Sequence, residues 1–219
     1  MKAFFQLFLF CCLPVFILTS SKPPLETPPE EDKIPIGLGM FAPNFYENAM
    51  VSFYGDPNLD KGVMEHMPWD SLTFHRTETG VTISYAPPWF VPEHMKMDYE
   101  TLYLRVLTIH GDFIQVVVNK LTGRTAWMSR YDGNLQFWPD FLLSMNSVEQ
   151  LDPASNPVKI KPLDHASEST IPYEFLRPVG IRHSWIEVKL LDKDFKEKGS
   201  GWIKWQEDEE LLITWSLFS

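Results

Sequence analysis

The chain has 219 residues, a net charge of −10 and 18 prolines, with 44% apolar and 22% charged residues. That length suits one large domain or two small ones with a real core. The acidic balance, with no Lys/Arg cluster, argues against nucleic acid as a partner, because neutralising phosphates takes a basic patch.

Lys2 precedes an apolar run from Ala3 to Leu18, followed by Thr19-Ser20-Ser21. This predicts a secretory signal peptide over residues 1–21, with Thr19 and Ser21 as the small residues before the cut. The run is short for a membrane span, which takes about 20 apolar residues, and Pro14 interrupts it. A removed leader is expected rather than a retained anchor, which places the protein outside the cytoplasm, secreted or periplasmic in the cell envelope. Cys11 and Cys12 both lie inside the leader. A second reading attaches lipid to one of them and anchors the chain to a membrane. Either way the body beyond Lys22 has no cysteine for disulfides, thiolate metal sites or a Cys nucleophile.

Residues 22–35 read as a disordered Pro/Glu-rich tether: Pro23, Pro24, Pro28, Pro29 and Pro35 alternate with Glu26, Glu30, Glu31 and Asp32. Ser71–His75 and Val81–Tyr85 then alternate with period two around a Gly-containing loop, which predicts a strand pair. Leu102–Ile109 and Phe113–Val118 form the next expected pair, joined at His110-Gly111-Asp112. Thr122-Gly123 turns the chain into a strand around Trp127. Phe137–Leu143 is one helical turn or a loop plugging the end of a barrel. The polar stretch 147–157, with Pro153 and Pro157, is the expected linker between domains. In the last segment Trp202–Trp205 and Leu211–Trp215 are expected to form a hairpin around the acidic run Gln206–Glu210. With no long amphipathic stretch after the leader, the fold class is all-β.

The same strand cassette occurs twice. The first copy is Leu104-Arg105-Val106, Phe113-Ile114-Gln115-Val116 and Ala126-Trp127-Met128. The second is Leu176-Arg177-Pro178-Val179, Trp185-Ile186-Glu187-Val188 and Gly201-Trp202-Ile203. These cassettes resemble bacterial Src-homology-three-like domains, the small five-stranded barrels of extracytoplasmic proteins. The resemblance is closer in the second copy, from about Val158 onward, and the first departs from it by an insert from Ala86 to Tyr99. It implies two tandem small barrels, residues 36–146 and 158–219. It further implies a non-enzymatic binding or scaffolding module whose ligand is a peptide or a cell-wall component.

Phe113, Trp127, Trp185 and Trp202 are expected in the barrel cores. The candidate ligand-binding residues lie in the insert and loops: Tyr85, Trp89, Phe90, Tyr99 and Tyr131, whose rings suit stacking on a sugar or a proline-rich peptide. Glu-His-Met occurs at 65–67 and 93–95, with soft ligands for copper(I) but no recognised spacing, so no metal and no cofactor are expected. No nucleophile elbow, zinc-peptidase helix or phosphate-binding glycine loop is present, and no residue takes a catalytic role. Two alternatives stand beside the binding module. One is a wall-polymer hydrolase using carboxylates such as Asp70, Glu93, Asp98 and Glu100. The other is a structural subunit of an envelope protein complex.

Overall fold

The computed structural model describes residues 34–217. The expected leader, both cysteines and the tether up to Lys33 lie outside the described residues. At the tether's end, the Pro35 carbonyl accepts a bond from Arg105 Nη1 (3.3 Å).

In chain order the first strands are β1 (Gly39–Pro43), β2 (Met50–Phe53), β3 (Asp70–Thr77), β4 (Gly80–Tyr85) and β5 (His94–Lys96). They continue with β6 (Thr101–His110), β7 (Phe113–Asn119), β8 (Arg124–Ser129) and β9 (Gly133–Phe137), and a short helix, α1 (Trp138–Leu143), follows. Then come β10 (Ser147–Gln150), β11 (Phe175–Arg182), β12 (Trp185–Leu191) and β13 (Glu197–Lys204). The two-residue strands β14 (Gln206–Glu207) and β15 (Glu210–Leu211) precede β16 (Ile213–Ser216). Every ladder between these strands is antiparallel, and the chain is all-β.

Two sheets share one strand order, β8-β7-β6-β1-β9 and β13-β12-β11-β10-β16. Their registers agree residue by residue. Val116 faces Ala126 as Val188 faces Gly201, and Gln115 faces Trp127 as Glu187 faces Trp202. A bulge falls at the same step in both, between Val106 and Thr108 in β6 and between Pro178 and Gly180 in β11. Both following hairpins turn on two residues. The first of them has positive φ in each case, Gly111 at 55° and His183 at 54°. Glycine adopts that angle freely, whereas a residue with a Cβ is strained there.

Neither path closes into a barrel, since no ladder joins β8 to β9 or β13 to β16 among the described residues. The β8 and β13 edges each carry a single bridge instead. Tyr54 and Trp127 exchange two backbone bonds of 2.8 Å on β8, and Lys159 and Trp202 exchange bonds of 2.7 and 2.8 Å on β13. A passing segment of this kind satisfies edge groups that would otherwise invite pairing with another chain. Gly201 makes the second crossing possible: a Cβ there would lie 2.3 Å from Val158 Cγ1 and 3.1 Å from the Lys159 carbonyl oxygen.

The expected β3–β4 pair is present, but it joins β2 in a separate three-stranded sheet rather than the first five-stranded path. Residues 147–157 are not simply a linker. They open with β10, whose Val148 is fully buried between β11 and β16. One inward residue among four leaves the segment polar in composition although it is a central strand. Trp202–Trp205 and Leu211–Trp215 do not form a hairpin, because β13 pairs with β12 and β16 with β10. The acidic run forms the small β14–β15 hairpin, with Asp208 and Glu209 at positive φ on its exposed tip. Phe113 and Trp185 are buried as expected, whereas Trp127 and Trp202 are half-buried. Their neighbours Ala126, Met128, Gly201 and Ile203 take the inward positions, so strand alternation turns each Trp to the opposite face.

One core cluster, including Phe41, Phe53, Leu72, Leu104 and Val116, fills the space between the first five-stranded path and the β2–β4 sheet. The second is built on α1. Trp138, Phe141 and Leu142 pack with Val148, Ile186, Ile203 and Ile213, and Met40 of β1 and Tyr103 of β6 join them. Trp138 Nε1 donates to the Ile36 carbonyl (3.0 Å). The segment expected as a helical turn or plug is therefore a helix seated between the two sheets, and both sheets belong to one compact unit.

Candidate functional site

The loop carrying Trp89 is strapped to the end of β7. Val91 N–H donates to the Val118 carbonyl and Lys120 N–H to the Val91 carbonyl, both at 2.9 Å. Asn119 is buried; its Nδ2 donates to the Trp89 carbonyl (2.7 Å) and its Oδ1 accepts from the Leu121 and Thr122 N–H groups. Trp89 and Phe90 rest on Phe53, with ring centroids 5.5 and 5.9 Å away. Both are half-buried, and Phe90 serves packing rather than an open platform.

Trp89 also stacks on Trp69, with centroids 5.2 Å apart and planes at 13°. The Arg124 guanidinium lies 4.3 Å from the Trp89 centroid and 4.6 Å from that of Trp69. Trp69 is 47% exposed. Arg124 has no carboxylate partner among the described residues. Tyr85 borders the same surface through Asp70, the neighbour of Trp69 in the chain. Its hydroxyl donates to Asp70 Oδ1 (3.1 Å), and this bond to the neutral phenol, aided by burial and the carboxylate charge, raises the Tyr85 pKa.

The five expected residues thus divide. Tyr85, Trp89 and Phe90 gather around the Trp69–Trp89 stack. Tyr99 is exposed, with the Lys96 ammonium 3.8 Å from its ring centroid. Tyr131, in the β8–β9 turn, donates to Asp112 Oδ1 (3.1 Å) and lines a different groove. Trp69 and Arg124 escaped the sequence reading because three separate segments supply the stack: the run into β3, the strapped loop and the start of β8. Pro68-Trp69 beside a charged residue was the available signal.

Three of the four carboxylates expected near the insert are engaged elsewhere. Glu93 Oε1 pairs with Arg105 Nη2 at 3.0 Å, Asp70 accepts from Tyr85 and from the Ser71 N–H, and Glu100 accepts the Tyr46 hydroxyl. The two Glu-His-Met segments also part company. His66 packs edge-on to Tyr54 and Phe113 and donates from Nδ1 to the Gly62 carbonyl (3.0 Å). His94 is held against Tyr103, with its Nε2 buried and without a hydrogen-bond partner among the described residues. Burial lowers the His94 pKa, as do Lys120 and Lys96, against an opposing effect of Glu93.

Comparison with protein-family models, curated proteins and solved structures finds no match. Among the described residues no helix is long and apolar enough to cross a membrane.

Proposed function

We propose that this chain is a non-enzymatic extracytoplasmic binding module of the cell envelope. Its Trp69–Trp89–Arg124 surface holds a peptide or a cell-wall polymer. The observation carrying this reading is a guanidinium within 4.6 Å of two indole centroids, with no acidic partner among the described residues, in a chain of net charge −10. The indole faces hold the cation by cation–π attraction, which uses none of its N–H donors and leaves them for a planar anion. An indole face beside such a fork suits a ligand that joins a sugar or apolar face to a carboxylate, and wall glycopeptides carry both. The resemblance of the two cassettes to bacterial Src-homology-three-like domains favours binding over catalysis. The envelope location rests on the leader pattern of residues 1–21.

The hydrolase alternative has less support. It needs two carboxylates facing one another across a substrate, and three of the four named, Glu93, Asp70 and Glu100, are tied to Arg105, Tyr85 and Tyr46. The test is retention of the mature protein on insoluble peptidoglycan, beside Trp69→Ala and Arg124→Gln. Retention of the wild type and release of both variants is expected. Equal retention of all three would move the site elsewhere, and no retention would remove the wall polymer as ligand.

A further inference from the structure

Strand β2 alternates. Val51 and Phe53 face the core, so Met50 and Ser52, with Tyr54 just beyond, face the other way. They meet the short 3-10 turn Val63–Glu65, the β6–β7 turn and the end of β8 around an open groove of about 520 Å³. Such a volume is within the range of ligand pockets, about 300–1,000 Å³. Its apolar surface is uncommonly free: Met64 is 97% exposed, Tyr131 70% and Met50 52%. Methionine side chains are flexible and polarisable, and surfaces that carry them adapt to varied partner side chains.

Three carboxylates line this groove, Glu65, Asp112 and Asp132, and no Lys or Arg does. A side-chain carbon added at Gly62 would lie 3.7 Å from Glu65 Oε1 and 3.8 Å from Asp112 Oδ2, so the two acids reach the same spot. Arg130 lies to one side, 5.8 Å from the Tyr131 ring centroid. Among the described residues no three His, Asp or Glu side chains gather as a metal site, so the acids are better matched to a ligand's cationic groups than to a bound ion.

The second repeat has a groove in the corresponding place, about 480 Å³, and its charge is reversed. There the β11–β12 turn and the segment following the Lys159–Trp202 bridge supply Lys161, Arg182 and His183 around Leu163 and Trp185. In the first repeat the β6–β7 turn and the segment following the Tyr54–Trp127 bridge supply acids. The same backbone plan carries opposite charge, so acidity in the first groove belongs to its side chains and not to the fold.

We propose that the groove between β2 and the β6–β7 turn docks a cationic segment of a partner protein in which Lys or Arg alternates with apolar residues. Basic side chains meet Glu65, Asp112 and Asp132, and apolar ones meet Met50, Met64 and Tyr131. This site is separate from the Trp69–Trp89 surface, and either can fail without the other.

The test is fluorescence anisotropy of the mature protein with a labelled Lys-Leu repeat peptide and with the same peptide carrying Glu for Lys. The Lys peptide binds, and weakens as salt rises through about 0.15 M, where charges more than about 8 Å apart are screened. Met64→Lys and Tyr131→Ala each weaken it by about tenfold or more, equivalent to at least ~1.4 kcal/mol. Both residues are exposed, so neither change unfolds the chain. Asp208→Asn removes one negative charge at the remote β14–β15 tip, where Asn tolerates the positive φ, and leaves affinity unchanged. Trp69→Ala leaves it unchanged as well. Equal weakening by Asp208→Asn would show general charge attraction and overturn the site. So would unchanged binding in Met64→Lys, stronger binding of the Glu peptide, or no binding at about 1 mM, the weak end of specific affinity.

Discussion

Phe141→Ala tests whether α1 joins the two sheets into one cooperative unit. The Phe141 ring is fully buried. Its centroid lies 5.3 Å from Tyr103 of β6 in the first sheet and 5.4 Å from Trp215 of β16 in the second, with Trp138 at 5.8 Å. All three contacts are edge-on, a geometry worth about 0.5–1.5 kcal/mol each beyond burial. Truncating a buried Phe to Ala costs about 3–5 kcal/mol once the cavity is included. With contacts to both sheets, neither can relax into the space alone, so the upper half of that range is expected. For a chain of this size 1 kcal/mol shifts Tm by roughly 2–4 °C, so a loss of about 4–5 kcal/mol should lower the melting point by roughly 8–20 °C. Scanning calorimetry should show one transition in wild type and one in the variant, moved down as a whole. Two transitions, only one of them displaced, would refute the shared core. A shift under about 2 °C would show that Phe141 is not load-sharing between the sheets.

Three further outcomes follow from the packing. Glu93→Ala strips the carboxylate from Arg105, whose side chain is 13% exposed and whose Nε has no bond among the described residues. The cost should be about 3–5 kcal/mol in urea unfolding, and a loss below about 1 kcal/mol would mean that the pair behaves as a surface ion pair. His94 has its pKa held below the ordinary 6.5, so the folded state favours the neutral ring. Its contribution to stability is full above 6.5 and is lost as pH falls through the lowered folded value. His94→Gln should flatten the fall of Tm between about pH 7 and pH 5, and an unchanged slope would place the pH dependence elsewhere. His183→Gly, which gives the second hairpin the residue type found at Gly111, should stabilise by about 1 kcal/mol by relieving the positive φ. No gain in chemical denaturation would show that His183 makes contacts offsetting its strain.

The paired cassettes were legible because their strands are long, alternate cleanly and lead with an aromatic residue. Phe113–Asn119 and Trp185–Leu191 are strands, as expected, each paired on both sides. The strands that complete each sheet were not legible. Gly39–Pro43 lacks alternation, and Ser147–Gln150 carries one buried apolar residue among polar ones. Tertiary pairing with two neighbours, rather than local propensity, makes these segments strands. Trp127 and Trp202 were misplaced for a related reason: their type suggests a core, but the period of two gives the inward positions to the residues on either side. The Trp89 loop was visible as aromatic, yet its partners Trp69 and Arg124 arrive from distant parts of the chain. Only the fold brings Met64, Asp112 and Tyr131 to one groove.

The most direct measurement is the indole N–H region of an NMR spectrum during titration with soluble peptidoglycan fragments. Binding at the proposed surface shifts the Trp69 and Trp89 signals, assigned by Trp69→Phe and Trp89→Phe. It leaves unmoved Trp138 and Trp205, whose Nε1 groups donate to the Ile36 and His183 carbonyls. Shifts confined to other indoles, or none at saturating fragment, would contradict a ligand surface built on the Trp69–Trp89 stack.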